Sequence, residues 1–159
     1  MAYQGERTDS PSPVMTFEVR GNWLAARVDQ IDRVALAAQL WPVPLARPEH
    51  VGLFDNGHDL VPVLRLGPSD QPLKPPTEPQ LVALMHVRGQ TIGLAIERVG
   101  RVYARYRLED GRLTAPDLLG AIGAQPARSS DFRFWLVDAD RLFNFEAGSA
   151  MTPAPFEAT

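Results

Sequence analysis

The stretch that decides the fold is Leu81-Val-Ala-Leu-Met-His-Val-Arg-Gly-Gln-Thr-Ile-Gly-Leu-Ala-Ile-Glu-Arg-Val99, in which two apolar runs flank a short polar turn. The same arrangement occurs twice earlier, as Met15-Thr-Phe-Glu-Val-Arg-Gly-Asn-Trp-Leu-Ala-Ala-Arg-Val28 and as Val51-Gly-Leu-Phe-Asp-Asn-Gly-His-Asp-Leu-Val-Pro-Val-Leu64. Apolar runs joined by a short turn that contains glycine are typical of β-hairpins. The repetition predicts small β-barrels without chemistry built into them, so function is expected on their surfaces.

The turns of the three hairpins are expected at residues 20–22, 55–58 and 88–90. In the second hairpin, Asn-Gly suits a turn in which both central residues have positive φ. Pro62 lies in the returning strand and has no N–H for a ladder hydrogen bond, which predicts an edge strand or a bulge there. After the third hairpin, a further strand is expected over Val102–Leu108, and then a last strand over Phe132–Val137.

Two segments have helical features. Ile31, Val34, Ala35 and Ala38 fall at helical spacing behind Asp29, a residue type suited to an N-cap, so this segment is either a short helix or an irregular crossing. Near the other end, Asp138 is expected to cap a short helical turn that carries Leu142 and Phe143.

Composition limits the class of protein. The chain has 159 residues, of which 45% are hydrophobic, and it contains 15 Pro, 12 Gly and no Cys. Such a chain can bury a core of its own, and its proline and glycine content favours many short strands over a helical bundle. We found neither a membrane-spanning apolar run nor signal-peptide features, and the absence of cysteine fits a reducing compartment, so a cytoplasmic protein without membrane insertion is expected.

The distribution of proline predicts the domain organisation. Five of the twelve residues from Pro68 to Pro79 are proline, which indicates an extended hinge. We expect flexible tails at 1–13 and 146–159, and a single domain over 14–145. Within it, one lobe would take 14–67 plus the C-terminal element, and a second lobe would take 80–137.

In this order of elements, the chain resembles the CheW family of chemotaxis coupling proteins over about Met15 to Phe145. The resemblance is carried by Phe17-Glu-Val-Arg-Gly, Val28-Asp-Gln-Ile-Asp-Arg-Val34, Val43-Pro44 with Pro48 and Val51-Gly52, Leu60-Val-Pro-Val-Leu64, Gly93-Leu-Ala-Ile-Glu-Arg-Val99 and Leu136-Val-Asp-Ala-Asp-Arg-Leu142. It implies an all-β fold of two interleaved five-stranded SH3-like barrels around a shared core, with at most short helices. It also implies a non-enzymatic adaptor, without cofactor, that links the cytoplasmic tips of chemoreceptors to a histidine kinase at membrane-associated arrays.

The resemblance also assigns a binding groove between the barrels. Val28 and Ile31, with Arg33 beside them, match one wall of the receptor groove of the family, and Val102 matches the far wall. An apolar groove of this kind gains affinity by burying apolar area of a helical hairpin tip. The alternative is that these apolar residues are ordinary barrel core.

The chain departs from the family at two places. Where the family has an Asn-Leu-Arg-Gly turn, this chain has Asp55, Asn56, Gly57 and His58, and neither glycine nor histidine reproduces the donors of a guanidinium. The stretch over 105–120 is also shorter than is typical. A scaffold for a different motility or polarity partner therefore stays open as an alternative.

Two chemical alternatives concern histidine and arginine. His58 lies between Asp55 and Asp59, but no nucleophile or ligand spacing accompanies it or the other histidines, so we expect a solvated turn and no metal site. Nucleic-acid binding is the other alternative, because a basic face with one aromatic ring suits phosphate contacts and base stacking. Alternation predicts that such a face is shared by Arg101, Tyr103, Arg105 and Arg107. The net charge of −3 weighs against it, and an acidic protein surface would suit the same face.

Overall fold

The computed structural model describes residues 12–43, 49–66, 79–109, 119–120 and 122–151, with side chains as far as residue 145. The strands in these segments are β1 (Val14–Val19), β2 (Asn22–Arg27), β3 (Ile31–Ala37), β4 (His50–Asp55), β5 (Leu60–Leu64), β6 (Gln80–Val87), β7 (Gln90–Ile96), β8 (Arg98–Tyr103), β9 (Arg107–Leu108), β10 (Gln125–Ser129) and β11 (Phe132–Leu136). A 3₁₀ turn, Val28–Gln30, joins β2 to β3, and a helix, α1 (Ala139–Met151), follows β11. In these segments no helix is both long enough and apolar enough to cross a membrane.

The strands form two sheets. The first has the order β8-β1-β2-β11-β10-β9 and the second has the order β3-β6-β7-β5-β4. The second sheet closes on itself, because Trp41, just beyond β3, forms a bridge to Leu53 of β4 at the opposite edge. The two N–H···O distances of this bridge are 2.9 and 2.8 Å. The second sheet is therefore a five-stranded barrel, which we call barrel two.

The first sheet closes for a topological reason. Its edge strands, β8 and β9, are separated by residues 104–106 alone. A chain of that length spans at most about 14 Å, whereas six flat strands would span about 24 Å. The sheet must curl until its edges meet, and β8 and β9 are the two halves of one bent strand. This gives barrel one and confirms the predicted all-β class with two SH3-like barrels.

The bend corrects the expectation of one continuous strand over Val102–Leu108. The chain leaves the ladder at Ala104 and resumes at Arg107. Between them, Tyr106 turns into the interior of barrel one, where its ring lies edge-on to Phe134 at 6.3 Å. Burial of this ring breaks the alternation that the sequence suggests.

The route of the chain also differs from the predicted lobes. Barrel one takes β1, β2 and β8–β11 from both ends of the chain, while barrel two is the continuous run β3–β7. The chain changes barrels at Val28–Gln30 and at Glu97, whose N–H donates to the Glu18 carbonyl at 2.8 Å. The proline-rich segment 68–79, nearly all of it outside the described residues, connects β5 to β6 of the same barrel. Composition identifies a linker but not the sheet that its flanking strands join.

Alternate faces of the strands supply the cores. On β6, Val82 and Leu84 point into barrel two, whereas Ala83 and Met85 join a cluster between the barrels. We call this cluster the shared core. Its other buried members are Phe17, Val19, Leu24, Ala26, Leu64, Leu66, Ile92, Leu94, Ile96, Leu119, Ile122, Val137, Ala139 and Leu142. Both barrels and α1 contribute to it, as the resemblance implied.

The segment with helical spacing is a regular strand, so neither of the two alternatives, a short helix or an irregular crossing, is correct. β3 pairs antiparallel with β6 over its whole length. Asp29 lies in the 3₁₀ turn, where its N–H donates to Ser12 Oγ at 3.2 Å and its carboxylate accepts from Arg27 Nε at 3.2 Å. The hydrogen bonds that β3 forms with β6 outweigh the weak helical spacing of its sequence.

The three hairpins are confirmed, but their turns differ in type. Arg20-Gly21 and Arg88-Gly89 have positive φ at both positions, as type I′ turns require. In the β4–β5 turn only Gly57 has positive φ, at 99°. Pro62 is neither on an edge strand nor at a bulge: β5 is interior, and its pairing with β7 covers Val63 and Leu64. Pro62 thus lies outside the β5–β7 ladder, so its lack of an N–H removes no hydrogen bond from that ladder.

The C-terminal prediction is confirmed and extended. Asp138 Oδ1 accepts the N–H of Asp140 at 2.9 Å, which is an N-cap, and Leu142 is fully buried. The helix continues to Met151, beyond the short turn that was expected and into the segment predicted as a tail.

Candidate functional site

The margin of the shared core is exposed on barrel one at Val102. In the register of the sheet, Val102 lies opposite Met15, and Met15 lies opposite Ala26. Directly opposed residues share a face of a sheet, and both Met15 and Ala26 face the shared core. Val102 therefore continues that apolar face outward along the edge strand β8, where 57% of the residue is exposed.

On barrel two, the corresponding edge strand is β3. Ile31 lies opposite Met85 and packs, half-buried, against the shared core. Between the barrels, Val28 lies on the crossing, held by its N–H, which donates to the Pro13 carbonyl at 2.8 Å, and it is 39% exposed. Met15 and Ile31 thus pack at the margin of the shared core, Val102 lies opposite Met15, and Val28 lies on the crossing between the barrels. We call these four residues the inter-barrel groove.

The alternative interpretation, ordinary barrel core, does not describe Val28 and Val102, because both are exposed. It describes Ile31 only in part. Apolar side chains held at the margin of a core, with backbone fixed by strand pairing, form a preformed surface for an apolar partner.

Arg33 does not belong to the groove, in contrast to the expectation. A bulge after Ile31 places Asp32 as an extra residue, so Arg33 lies opposite Leu84, which faces the interior of barrel two. The register assigns Arg33 to the other face of β3, at the open edge, where its Nε lies 3.9 Å from the Asp32 carboxylate.

Sequence reasoning missed three further apolar residues on the same faces. Val34 lies opposite Ala83 of the shared core, and Leu36, which is 64% exposed, lies opposite Leu81. On β8, Val99 lies opposite Phe17. Period-two alternation would have identified Val34 and Leu36 if the segment had been taken as a strand, but only a short helix and an irregular crossing were considered.

A cavity of about 240 Å³ opens beside the crossing. Its wall is mixed, with the apolar residues Leu108, Leu136 and Val137 beside the polar residues Arg27, Gln30, Tyr106, Gln125, Asp138 and Arg141. Arg141 Nη1 donates to the Gly123 carbonyl at 2.6 Å, and Arg27 is paired with Asp29. The cavity is smaller than typical ligand pockets of about 300–1,000 Å³.

The β4–β5 turn uses its own side chains to hold its backbone. Asp55 Oδ1 accepts the N–H of Gly57, and Asn56 Oδ1 accepts those of His58 and Asp59, all at 2.9 Å. His58 is exposed. Within the described segments, no group of three His, Cys, Asp or Glu residues is placed to hold a metal ion. The turn therefore exposes backbone and the His58 side chain, and it contains no arginine.

The expected basic face is not formed. Tyr103 lies inside barrel one, stacked on Phe132 at 5.5 Å, and is not exposed beside the arginines. Arg101 is on β8, while Arg105 and Arg107 lie beyond the bend. Because the chain turns at residues 104–106, alternation does not carry across, and no aromatic ring of this stretch is available for base stacking.

One half-buried cation, Arg65, has a structural role. Burial lowers the pKa of Arg65 below its ordinary value, and the nearby Arg20 adds to this, while Glu97 acts in the opposite direction. Arg65 Nη2 donates to Gln80 Oε1 at 3.4 Å, and Gln80 Nε2 donates to the Ile96 carbonyl at 2.9 Å. These contacts fasten the end of β5 to β6 and β7.

A family model described as the CheW-like domain matches residues 13–105, more than half of the chain. The chain therefore belongs to the CheW-like domain family. Among solved structures, it is similar to the scaffolding protein TtCheW from Thermoanaerobacter tengcongensis, with a TM-score of 0.59 and 13% sequence identity. That likeness covers 80% of this chain and 88% of TtCheW, and it concerns the fold. No curated protein matches the chain.

Proposed function

We propose that this protein is a non-enzymatic adaptor that couples chemoreceptors to a histidine kinase, and that its inter-barrel groove receives the helical tip of a receptor. The observation that carries the proposal is the exposed margin of the shared core in a CheW-like fold. CheW-like proteins act as scaffolds, and the groove residues form an apolar surface without catalytic groups. The adaptor would work in the cytoplasm, recruited to receptor arrays.

The energetics are adequate for reversible binding. Burying a valine or leucine side chain completely contributes about 1.5–3 kcal/mol. Val28, Val99, Val102 and Leu36 are each between two fifths and two thirds exposed. Covering them would thus contribute a few kcal/mol, from which the ordering of the partner is subtracted. Such a contact suits a signalling complex that is strengthened by many copies in an array.

The test compares valines that are matched in exposure. Val28 and Val43 are both 39% exposed, but Val43 lies beyond β3, away from the groove. We expect Val28→Asp and Val102→Asp to weaken receptor binding about tenfold or more, because a carboxylate would lose its water against apolar side chains. Val43→Asp should bind as wild type. Equal affinity of all three variants would refute the groove.

Partners are identified by capture from the cell extract of the organism, after nuclease treatment, with mass spectrometry of the bound fraction. The wild type should recover receptors and a chemotaxis kinase, and the groove variants should lose the receptors while retaining the kinase. Recovery of a different motility or polarity protein, without a kinase, would favour the alternative scaffold role that the β4–β5 turn leaves open. Recovery that depends on nucleic acid would contradict both.

A further inference from the structure

Three arginines stand side by side on the outside of barrel one. Arg107 on β9 lies opposite Arg128 on β10, and Arg128 lies opposite Arg133 on β11. The residues that precede or follow them in each strand, Leu108, Ala127 and Phe134, point into the barrel. Since neighbours along a strand alternate in direction, the three guanidinium groups project from the outer face. We call them the arginine row.

One carboxylate is shared within this row. Glu109 Oε2 lies 3.4 Å from Arg128 Nη1 and 3.4 Å from Arg133 Nε. Arg107 is exposed and forms no ion pair with the described residues. Three guanidinium groups and one carboxylate leave a local excess of positive charge, on a protein whose net charge is −3.

The row is unfavourable for folding on its own. Like charges directly opposite each other destabilise a sheet, and the outer face of a barrel accepts almost any polar residue. Glu109 offsets this repulsion for Arg128 and Arg133 but not for Arg107, so an excess of positive charge is left for a partner to neutralise. Opposed residues of neighbouring strands lie about 5 Å apart, which matches the spacing of about 5–6 Å between helix residues three and four apart.

We propose that the arginine row docks a helical segment of a partner protein that carries Asp or Glu at three- and four-residue spacing. A guanidinium can bind a carboxylate through two parallel N–H···O bonds. Arg128 Nε already donates to the Ser130 carbonyl at 3.1 Å, and Arg128 and Arg133 share Glu109, so Arg107 is the most available of the three. Nucleic acid is disfavoured, because the nearby aromatic rings pack on one another in barrel one, where Tyr103 stacks on Phe132 and on Phe134. The site is independent of the inter-barrel groove, since it occupies the outer face of β9–β11.

The test uses an alanine-rich helical peptide of about 15 residues with glutamates at that spacing, and the same peptide with glutamines. Arg107→Gln with Arg133→Gln should lower the affinity for the glutamate peptide about tenfold or more. Arg33→Gln with Arg101→Gln removes the same charge from exposed sites elsewhere and should change the affinity less than about twofold. An equal loss in both double variants would overturn the proposal, because it would reflect net charge alone.

The Glu109→Gln variant distinguishes the effect of Glu109 on partner binding from its effect on the stability of the fold. This variant removes the carboxylate that competes with the partner, so we expect tighter binding of the glutamate peptide together with a lower melting temperature. A fall in both quantities would contradict the proposal. The proposal would also be overturned if binding that is lost with the arginine row were stronger for oligothymidylate or for phosphatidylserine vesicles than for the peptide. It would equally be overturned if replacing the arginine row had no effect on peptide binding at low salt.

Discussion

At the scale of single residues, one buried amide joins the crossing between the barrels to the C-terminal helix. Gln30 Oε1 accepts the N–H of Ala139 at 3.1 Å, and Gln30 Nε2 donates to Asp138 Oδ1 at 3.4 Å. The Gln30 residue is 6% exposed. The same 3₁₀ turn carries Val28, so the amide fixes the position of the inter-barrel groove relative to α1.

Gln30→Met keeps the volume of the side chain but leaves the Ala139 N–H without its acceptor. We expect a loss of about 1–3 kcal/mol in the free energy of unfolding, measured by urea denaturation. Gln90 is exposed at the start of β7, and Gln90→Met should change the same quantity by less than about 0.5 kcal/mol. An unchanged midpoint for Gln30→Met would show that water satisfies the N–H and that the amide does not hold the crossing.

At the scale of elements, local signals in the sequence predicted the hairpins and the helix cap. The apolar runs over β6 and β7, and the Gly-containing turns, are properties of neighbouring residues. The edge strand β3 was not predictable in this way, because Val34 and Ala35 suit a helix until pairing with β6 is known. Its identity as a strand is set by residues about fifty positions away in the sequence.

The two candidate sites also differ in how far the sequence alone could predict them. The resemblance to a family led to Val28, Ile31 and Val102 as groove residues, and both their grouping into a groove and its role in binding stay predictions. The arginine row was not accessible, since Arg107, Arg128 and Arg133 come from three strands and meet only through their register. The bulge that turns Arg33 away is likewise invisible until β3 is paired with β6.

The N-cap of α1 gives a prediction at this scale. Asp138 Oδ1 accepts the Asp140 N–H at the first turn of the helix, and removing such an acceptor costs about 0.5–2 kcal/mol. We expect Asp138→Ala to lower the free energy of unfolding by that amount, whereas Asp138→Asn, which keeps an acceptor oxygen, should lose clearly less. Equal losses in the two variants, measured by urea denaturation, would mean that the charge of Asp138, and not the cap, matters.

At the scale of the whole molecule, the shared core makes two barrels into one folding unit. Barrel two is continuous in sequence, and a barrel of that kind could in principle fold and unfold by itself. Yet alternate side chains of β6 and β7 are buried against barrel one and α1. Separating the barrels would expose these side chains to water, at about 25 cal/mol per Å² of apolar surface.

We therefore expect both barrels to unfold in a single transition, and the tryptophans allow each to be observed. Trp23 lies in barrel one, edge-on to Phe132 at 5.5 Å, and Trp41 closes barrel two through its bridge to Leu53. Trp41→Phe with Trp135→Phe leaves Trp23 as the reporter, while Trp23→Phe with Trp135→Phe leaves Trp41. Within each variant, the fluorescence midpoint in urea should coincide with the midpoint from circular dichroism, as two-state unfolding requires. A Trp41 signal that changes at lower urea than the circular dichroism would show that barrel two opens alone, and the groove would then lose one wall before the protein unfolds.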